Sequence, residues 1–214
     1  MMQVQEYSFN TILIIITIAI SFYVENRVEL KYKLMLNPYK MLRDNEYYRF
    51  ITSGFIHGGW MHLFFNMFTL YLFGNLLEPV FTYNLGSNGS LYYILFYLVA
   101  IIVADIPSFI KHKDNPGYNA LGASGGTSAV VISYIMFDPL VSLRPILLPI
   151  PIPGFIFATL YMAYSYYMAK NEQMDGIGHD AHFFGALFGV IASVSIQPDV
   201  IPNFISQLAS WSIF

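Results

Sequence analysis

The chain contains no cysteine and few charged residues. Only 11% of its 214 residues are Asp, Glu, Lys or Arg, whereas soluble domains carry about 25%. The lack of cysteine excludes disulfides, thiolate metal ligands and cysteine nucleophiles. The ten Lys and Arg residues are widely spaced and the formal net charge is −3, so no dense cationic surface is available to a nucleic acid. We therefore expect a membrane protein that does not bind nucleic acid.

Long apolar stretches make up most of what remains, since 56% of the residues are hydrophobic. A helix needs about 20 apolar residues to cross a bilayer. Six stretches between charged residues can hold such a helix: 6–25, 49–78, 78–105, 114–138, 144–170 and 180–199. The first has no basic leader and no small-residue cleavage site, so we interpret it as a membrane helix. The pattern predicts an all-α fold, a six transmembrane helix bundle in a polytopic membrane protein, with residues 1–214 as a single domain.

The segments between these stretches contain turn-forming residues. Loops are predicted at 83–89, at 114–117 and along the proline-rich stretch 145–153. The segment from Glu25 to Thr52 has mixed charge and is rich in Tyr, Leu and Met, which favours amphipathic pieces at the headgroup level of the membrane. The tail from Pro202 to Phe214 includes Trp211 and is interpreted as an interfacial anchor.

Strongly polar residues gather at the start of alternate predicted helices. Such residues are functional candidates by default because an unsatisfied polar group in hydrocarbon costs several kcal/mol. In a bundle whose helices run up and down in turn, the second, fourth and sixth helices enter the membrane from the same face. Their polar residues should therefore share one layer. They are His57, His62 and Asn66, then Ser124 within Gly122–Gly125, then Asp180 and His182.

This layer has the composition of a nucleophilic site. Ser124 needs a base to take its proton, and His182 is the leading candidate because histidine titrates near neutral pH. Asn66 and the first N–H groups of the fourth helix could stabilise an oxyanion, and His62 shares a helix face with Asn66. Small residues would let the fourth and sixth helices touch; they are Gly125 on the fourth and the GxxxG pair Gly185 and Gly189 on the sixth.

These motifs resemble those of the rhomboid family of intramembrane serine proteases. The family's small-residue GxSG pattern is present as Gly122–Gly125 followed by Ala129, and its AHxxGxxxG pattern as Ala181, His182, Gly185 and Gly189. The second-helix histidines and asparagine match as His57, His62 and Asn66. Tyr48-Arg49 replaces the family's Trp-Arg in the first loop, and Gly74 and Glu78 match the glycine and glutamate at the end of the second helix.

The resemblance implies a serine endopeptidase that cleaves the transmembrane segments of other membrane proteins within the lipid bilayer. It implies a Ser124–His182 dyad without a third acid. Oxyanion contacts would come from Asn66, His62 and the Ser124 amide. The loop 172–179 would cap the active site, and the fifth helix would border the path of the substrate. No cofactor and no metal are expected.

Other residues are assigned to supporting roles. His57, Arg49 and Glu78 are expected to brace the first loop and the helix ends, and Asp180 is expected to cap the sixth helix. Ser128 stands where family members often carry an aromatic ring that stacks on the histidine, so that brace is predicted to be missing. The fifth-helix tyrosines are interpreted as lipid-facing or interfacial; they are Tyr161, Tyr164, Tyr166 and Tyr167.

Two other functions fit parts of the sequence. The chain could be a catalytically inactive rhomboid-like protein that binds and escorts membrane proteins, although it retains both Ser124 and His182. Alternatively, imidazoles could bind zinc, with His57, His62, His179 and His182 as ligands. The metal hypothesis leaves Ser124 unexplained and has no HExxH motif.

Charge and resemblance disagree about orientation. Nearly all basic residues lie on the side where the second, fourth and sixth helices begin, and Arg144 alone lies on the other. The positive-inside rule would therefore turn the site toward the cytoplasm. Six-helix rhomboids generally open away from the cytoplasm. We follow the resemblance and expect a multi-pass protein of the cell membrane with an extracytoplasmic active site.

Overall fold

The structure, a computed structural model, describes residues 8–144, 150–171 and 177–212. Within these ranges helices dominate, so the predicted all-α class is confirmed. The helices are α1 Phe9–Glu25, α2 Val28–Leu34, α3 Pro38–Arg43, α4 Arg49–Thr52, α5 Trp60–Leu85, α6 Gly89–His112, α7 Ser124–Phe137, α8 Gly154–Lys170, α9 His179–Ile196 and α10 Val200–Ser210. Each of the six predicted apolar stretches overlaps one of the longer helices, which are α1, α5, α6, α7, α8 and α9.

Two helical stretches of the described chain are long and apolar enough to cross a membrane. They are Trp60–His112, which comprises α5, α6 and the turn between them, and His179–Ile196. Phe9–Glu25 and Ser124–Phe137 are apolar but shorter. Length and composition thus mark part of the chain as membrane-crossing, and the count of six crossings stays a prediction.

Two helices continue past the charged residues that were predicted to bound them. Helix α5 passes through Glu78 and Pro79 to Leu85, and α6 passes through Asp105 to His112. The predicted loop at 83–89 therefore shrinks to a 3-10 turn at Gly86–Asn88. Neither carboxylate ends its helix, because Glu78 is buried among hydrogen-bond donors and Asp105 lines an internal cavity.

The segment between α1 and α5 folds into short helices around a buried arginine. Arg49 Nη1 donates hydrogen bonds to the carbonyls of Tyr32, at 2.7 Å, and Met35, at 2.8 Å. Its Nη2 pairs with the carboxylate of Glu46 at 2.6 Å. Arg49 is only 1% exposed, so its bonds fasten the end of α2 to the start of α4.

A short antiparallel hairpin pairs Ser142–Leu143 with Ile152–Pro153 just before α8. The proline-rich sequence had predicted only a loop here, because periodicity cannot detect strands of two residues. Residues 145–149 of that loop, and residues 172–176 of the predicted cap over the active site, lie outside the described residues.

Helices α7 and α9 touch backbone to backbone. A Cβ atom on Gly185 would collide with the carbonyl oxygen of Gly125, and one on Gly189 would lie 2.5 Å from the carbonyl oxygen of Ala129. Farther along, Ser133 Oγ and Ser193 Oγ are hydrogen-bonded at 2.8 Å. The small residues therefore let the backbones of α7 and α9 come into direct contact.

Glu78 ties the start of α1 to α5. Its Oε2 accepts hydrogen bonds from Ser8 Oγ, at 2.7 Å, and the Asn10 amide, at 3.0 Å. Its Oε1 accepts one from the Phe9 amide at 3.0 Å. A carboxylate at a helix N-terminus satisfies unpaired N–H groups and complements the helix dipole. Glu78 thus caps α1 from a neighbouring helix.

Candidate active site

A cavity of about 1080 Å³ opens where α5, α7 and α9 begin. Its lining includes His62 and Asn66 from α5, Ser124 from α7 and His182 from α9. Helix α6 contributes Asp105. The starts of alternate long helices therefore surround one shared space, and it contains the nucleophile, base and oxyanion donors inferred from the sequence.

Ser124 is the first residue of α7, directly after the N-cap residue Ala123. The first amides of a helix have no partner within the helix, so the N–H groups at this end can serve an anion. The preceding Gly122 has φ +123° and donates its N–H to the Ser53 carbonyl at 2.9 Å. Because side-chain-bearing residues rarely adopt that φ, Gly122 allows the turn that presents Ser124 to the cavity.

His62 packs against this turn. A Cβ on Gly122 would lie 2.7 Å from His62 Nε2, so only glycine leaves room for the ring. The Gly58 amide donates to His62 Nδ1 at 3.4 Å. A neutral imidazole that accepts at Nδ1 carries its proton on Nε2. We infer that Nε2–H is the donor that His62 directs toward the Gly122–Ser124 turn.

Asn66 is oriented by Thr127, a residue of α7 that the sequence analysis missed. Thr127 Oγ1 lies 3.1 Å from Asn66 Oδ1 and the same distance from the Ser124 carbonyl. Asn66 Nδ2 donates to the His62 carbonyl at 3.0 Å, which uses one of its two hydrogens. Because Asn66 lines the cavity, its second Nδ2 hydrogen can be donated to a ligand there.

His57 is not among the residues that line the cavity; it instead contacts the Gly122–Ser124 turn through the Ala123 amide. The Ala123 amide donates to His57 Nε2 at 3.4 Å, and His57 Nδ1 lies 2.9 Å from Ser21 Oγ. Ser21 Oγ in turn lies 2.9 Å from the Phe55 carbonyl. This chain requires a neutral ring with its proton on Nδ1. Burial, and next the nearby His62 and Lys31, lower the pKa of His57 to about 3.

An aromatic ring lies beside His182 after all, but it comes from α8. The Tyr161 ring stacks on the His182 ring with centroids 6.2 Å apart and planes inclined by 25°. The Tyr161 hydroxyl lies 2.5 Å from Ser128 Oγ, and Ser128 Oγ donates to the Ser124 carbonyl at 2.7 Å. Ser128, the small residue on α7, thus leaves room for a tyrosine from the neighbouring helix.

The interpretation of Tyr161 as a lipid-facing or interfacial residue is therefore wrong. Its ring lines the cavity and its hydroxyl is hydrogen-bonded. Tyr166 and Tyr167 are exposed, and Tyr164 meets the His179 ring edge-on at 5.7 Å. Only the packing of α8 against α7 distinguishes Tyr161 from these residues of the same type.

Asp180 does not cap α9. The helix begins at His179 with Gly178 as its N-cap, so Asp180 lies inside the first turn. A carboxylate there still interacts favourably with the helix dipole. The small Ala181 side chain lies one residue farther along and lines the cavity beside His182.

No group of three or more His, Asp or Glu side chains that could hold a metal ion is found within residues 8–144, 150–171 and 177–212. His57 and His62 are neighbours, with ring centroids 5.0 Å apart, and His179 and His182 form a second pair at 6.0 Å. The residues of the metal hypothesis thus form two pairs in the described structure.

Comparison with known proteins identifies the family. Residues 44–198 match the family model described as the Rhomboid domain. The chain is 27% identical over 159 residues to rhomboid-like protein 11, chloroplastic, of Arabidopsis thaliana, covering 68% of this chain and 51% of the relative. It is 28% identical over 180 residues to rhomboid-like protein 12, mitochondrial, of the same plant, covering 77% and 52%. The chain thus spans about half the length of these relatives. Because the matched domain covers most of it, the chain belongs to the rhomboid family.

Proposed function

We propose that this protein is an intramembrane serine endopeptidase in which Ser124 is the nucleophile and His182 the general base. One observation carries the proposal: both residues line a single cavity together with His62 and Asn66, although they come from three distant parts of the chain. A serine, a histidine and amide or imidazole donors around one space are the parts that acyl transfer needs.

The reaction would proceed through an acyl-enzyme. Ser124 Oγ attacks a peptide carbonyl carbon while His182 takes the hydroxyl proton, and His182 then returns that proton to the departing amine. Water repeats the sequence and releases the carboxyl product. During both steps, negative charge develops on the carbonyl oxygen. His62 Nε2–H, Asn66 Nδ2–H and the Ser124 amide are the donors we assign to that oxygen.

The substrates we propose are transmembrane segments of other membrane proteins. The six long helices would cross the lipid bilayer as one domain, so the cavity would receive substrate at membrane depth. A helical substrate hides its carbonyls in its own hydrogen bonds. Local unwinding at Gly, Ala, Ser or Pro would expose the bond to be cut. No metal and no nucleic acid take part in this reaction.

Labelling with a fluorophosphonate tests the proposal directly. The purified wild-type protein should be labelled, and Ser124→Ala and His182→Ala should each abolish labelling and cleavage of a transmembrane reporter. Ser195→Ala is a matched control, because Ser195 is exposed on the far part of α9 and its hydroxyl donates to the Ile191 carbonyl of the same helix. Persistent cleavage by Ser124→Ala would refute the assignment of the nucleophile.

The same experiment separates the alternatives. Folded wild-type protein that is never labelled and cleaves nothing, yet captures membrane proteins, would favour the inactive binder. Activity lost in strong chelator and restored by zinc would favour the metal hypothesis. Full activity in chelator is the outcome expected for the serine protease.

We further propose a multi-pass location in the cell membrane with the cavity facing away from the cytoplasm. This orientation follows the six-helix members of the family, which generally open away from the cytoplasm, and runs against the distribution of basic residues in the loops. A reporter fused to the C-terminus should remain cytoplasmic. An extracytoplasmic reporter signal would reverse the proposed orientation.

A further inference from the structure

The catalytic cavity contains a carboxylate that the proposed reaction does not use. Asp105 lies on α6 and lines the cavity together with Ser124. The preceding residue, Ala104, packs so closely against α7 that a Cβ on Gly125 would collide with its side chain. Asp105 therefore projects from the part of α6 that lies against the start of α7, where the nucleophile is located.

A single serine links Asp105 to the turn that carries the nucleophile. Ser53 Oγ donates to Asp105 Oδ2 at 3.3 Å. The Ser53 carbonyl accepts the Gly122 amide at 2.9 Å, two residues before Ser124. The carboxylate is thus fixed relative to the Gly122–Ser124 turn, and it would be fixed relative to a peptide bound there.

The Asp105 carboxylate belongs to neither of two ion pairs in the described residues, Lys31 with Glu25 and Arg49 with Glu46. The described lining of the cavity includes no Lys and no Arg. An ionised carboxylate accepts about four hydrogen bonds, and an unpaired charge away from bulk water is costly. A cationic ligand would stabilise the ionised form of the carboxylate.

The residues around Asp105 make this part of the cavity lining polar. Ser108 lies one helical turn farther along α6 and also lines the cavity, as do Tyr118 and Asn119 from the following loop. Serine, tyrosine and asparagine oxygens can accept the additional N–H groups of an ammonium or guanidinium that pairs with the carboxylate.

We propose that Asp105 is a specificity-determining residue that binds a Lys or Arg side chain next to the bond being cut. The proposal rests on the proposed function, because it names the substrate class of the same site. It predicts that good substrates carry one cation close to the cleavage site, within an otherwise apolar segment.

Substrate scanning tests the proposal. The cut site in a transmembrane reporter is first located by mass spectrometry, and each of the neighbouring positions is then changed to Lys or to Gln. At one position, wild-type protein should cleave the Lys reporter with a kcat/KM at least about tenfold above the Gln reporter, as a charge-assisted hydrogen bond allows. Asp105→Asn should bring that ratio to about one. Asp199→Asn, a carboxylate change beside α10, should leave the ratio unchanged.

Charge reversal sharpens the test. Asp105→Lys should prefer Glu over Gln at the same reporter position. The proposal is wrong if wild-type protein never favours Lys over Gln, or if Asp105→Asn retains the preference.

A binding measurement covers the case in which Asp105→Asn or Asp105→Lys cleaves nothing. Ser124→Ala protein, with and without Asp105→Asn, is titrated with fluorescent Lys and Gln peptides of the same segment. Tighter binding of the Lys peptide that disappears with Asp105→Asn supports the proposal, and equal binding of both peptides overturns it. Binding needs no cleavage, so equal binding of the two peptides contradicts only the role of Asp105. If wild-type protein cuts no reporter, that result contradicts the proposed function instead.

Discussion

The Tyr161 hydroxyl lies 2.5 Å from Ser128 Oγ while the Tyr161 ring stacks on His182. One side chain of α8 therefore contacts both α7, the helix that carries Ser124, and His182. Ser128 also donates to the Ser124 carbonyl. These contacts make Tyr161 a positioning residue for the proposed Ser124–His182 dyad.

Tyr161→Phe should separate the two contacts of this residue. The phenylalanine keeps the ring beside His182 and loses the bond to Ser128, so we expect kcat to fall about threefold to tenfold, the loss of one hydrogen bond. Tyr161→Leu loses both contacts and should lower kcat further, with KM little changed. Rates of reporter cleavage and of fluorophosphonate labelling measure the effect. Tyr167→Phe, which alters an exposed tyrosine of the same helix, should leave both rates unchanged.

Thr127→Val tests the orientation of Asn66. Valine has nearly the shape of threonine but cannot donate to Asn66 Oδ1. We expect Asn66→Ala to lower kcat about 100-fold or more, as loss of an oxyanion donor does. Thr127→Val should lower kcat less, by about tenfold, because the donor remains and only its orientation is freed. Thr159→Val on the exposed face of α8 is the control. Equal kcat for Thr127→Val and wild type would contradict the orienting role of Thr127, and equal kcat for Asn66→Ala and wild type would contradict the oxyanion role of Asn66.

Gly185→Ala should push α7 and α9 apart. The added Cβ would collide with the Gly125 carbonyl oxygen, and overpacking of this kind costs about 1–3 kcal/mol. We expect a lower unfolding temperature in detergent and slower labelling of Ser124. At Gly117 an added Cβ would meet only Asn115 Oδ1, at 3.4 Å. Gly117→Ala should therefore retain the wild-type unfolding temperature.

Acid should destabilise the protein partly through His57. Burial holds the pKa of His57 at about 3 in the folded protein, against 6.5 for an ordinary histidine. Below pH 6.5 the unfolded chain binds a proton that the folded protein does not, so stability falls as the pH decreases toward 3.

Replacing this ring tests its contribution. Unfolding temperatures at pH 7.5 and pH 4.5 should differ more for wild type than for His57→Gln, which is less stable at pH 7.5 but has no imidazole to protonate. Parallel decreases in the two proteins would show that other groups control the acid response.

Sequence could predict that the polar helix starts meet, because helix parity follows from counting apolar stretches. It could not predict Tyr161, since only the rotation of α8 against α7 distinguishes it from Tyr164, Tyr166 and Tyr167. Asp105 was misread for a related reason. A charged residue usually marks the end of a membrane helix, yet this one faces an internal cavity and the helix continues to His112.

Helix α8 lies at the edge of the fold, and in it only Gly154 and Ser165 are buried. Among the six long helices of the described structure, the one with the fewest buried residues thus supplies the ring that stacks on the His182 imidazole. If α8 swings outward to admit a substrate, His182 loses its neighbour at the same moment. Opening of α8 and catalysis would then exclude each other, because the open form lacks the ring that positions His182.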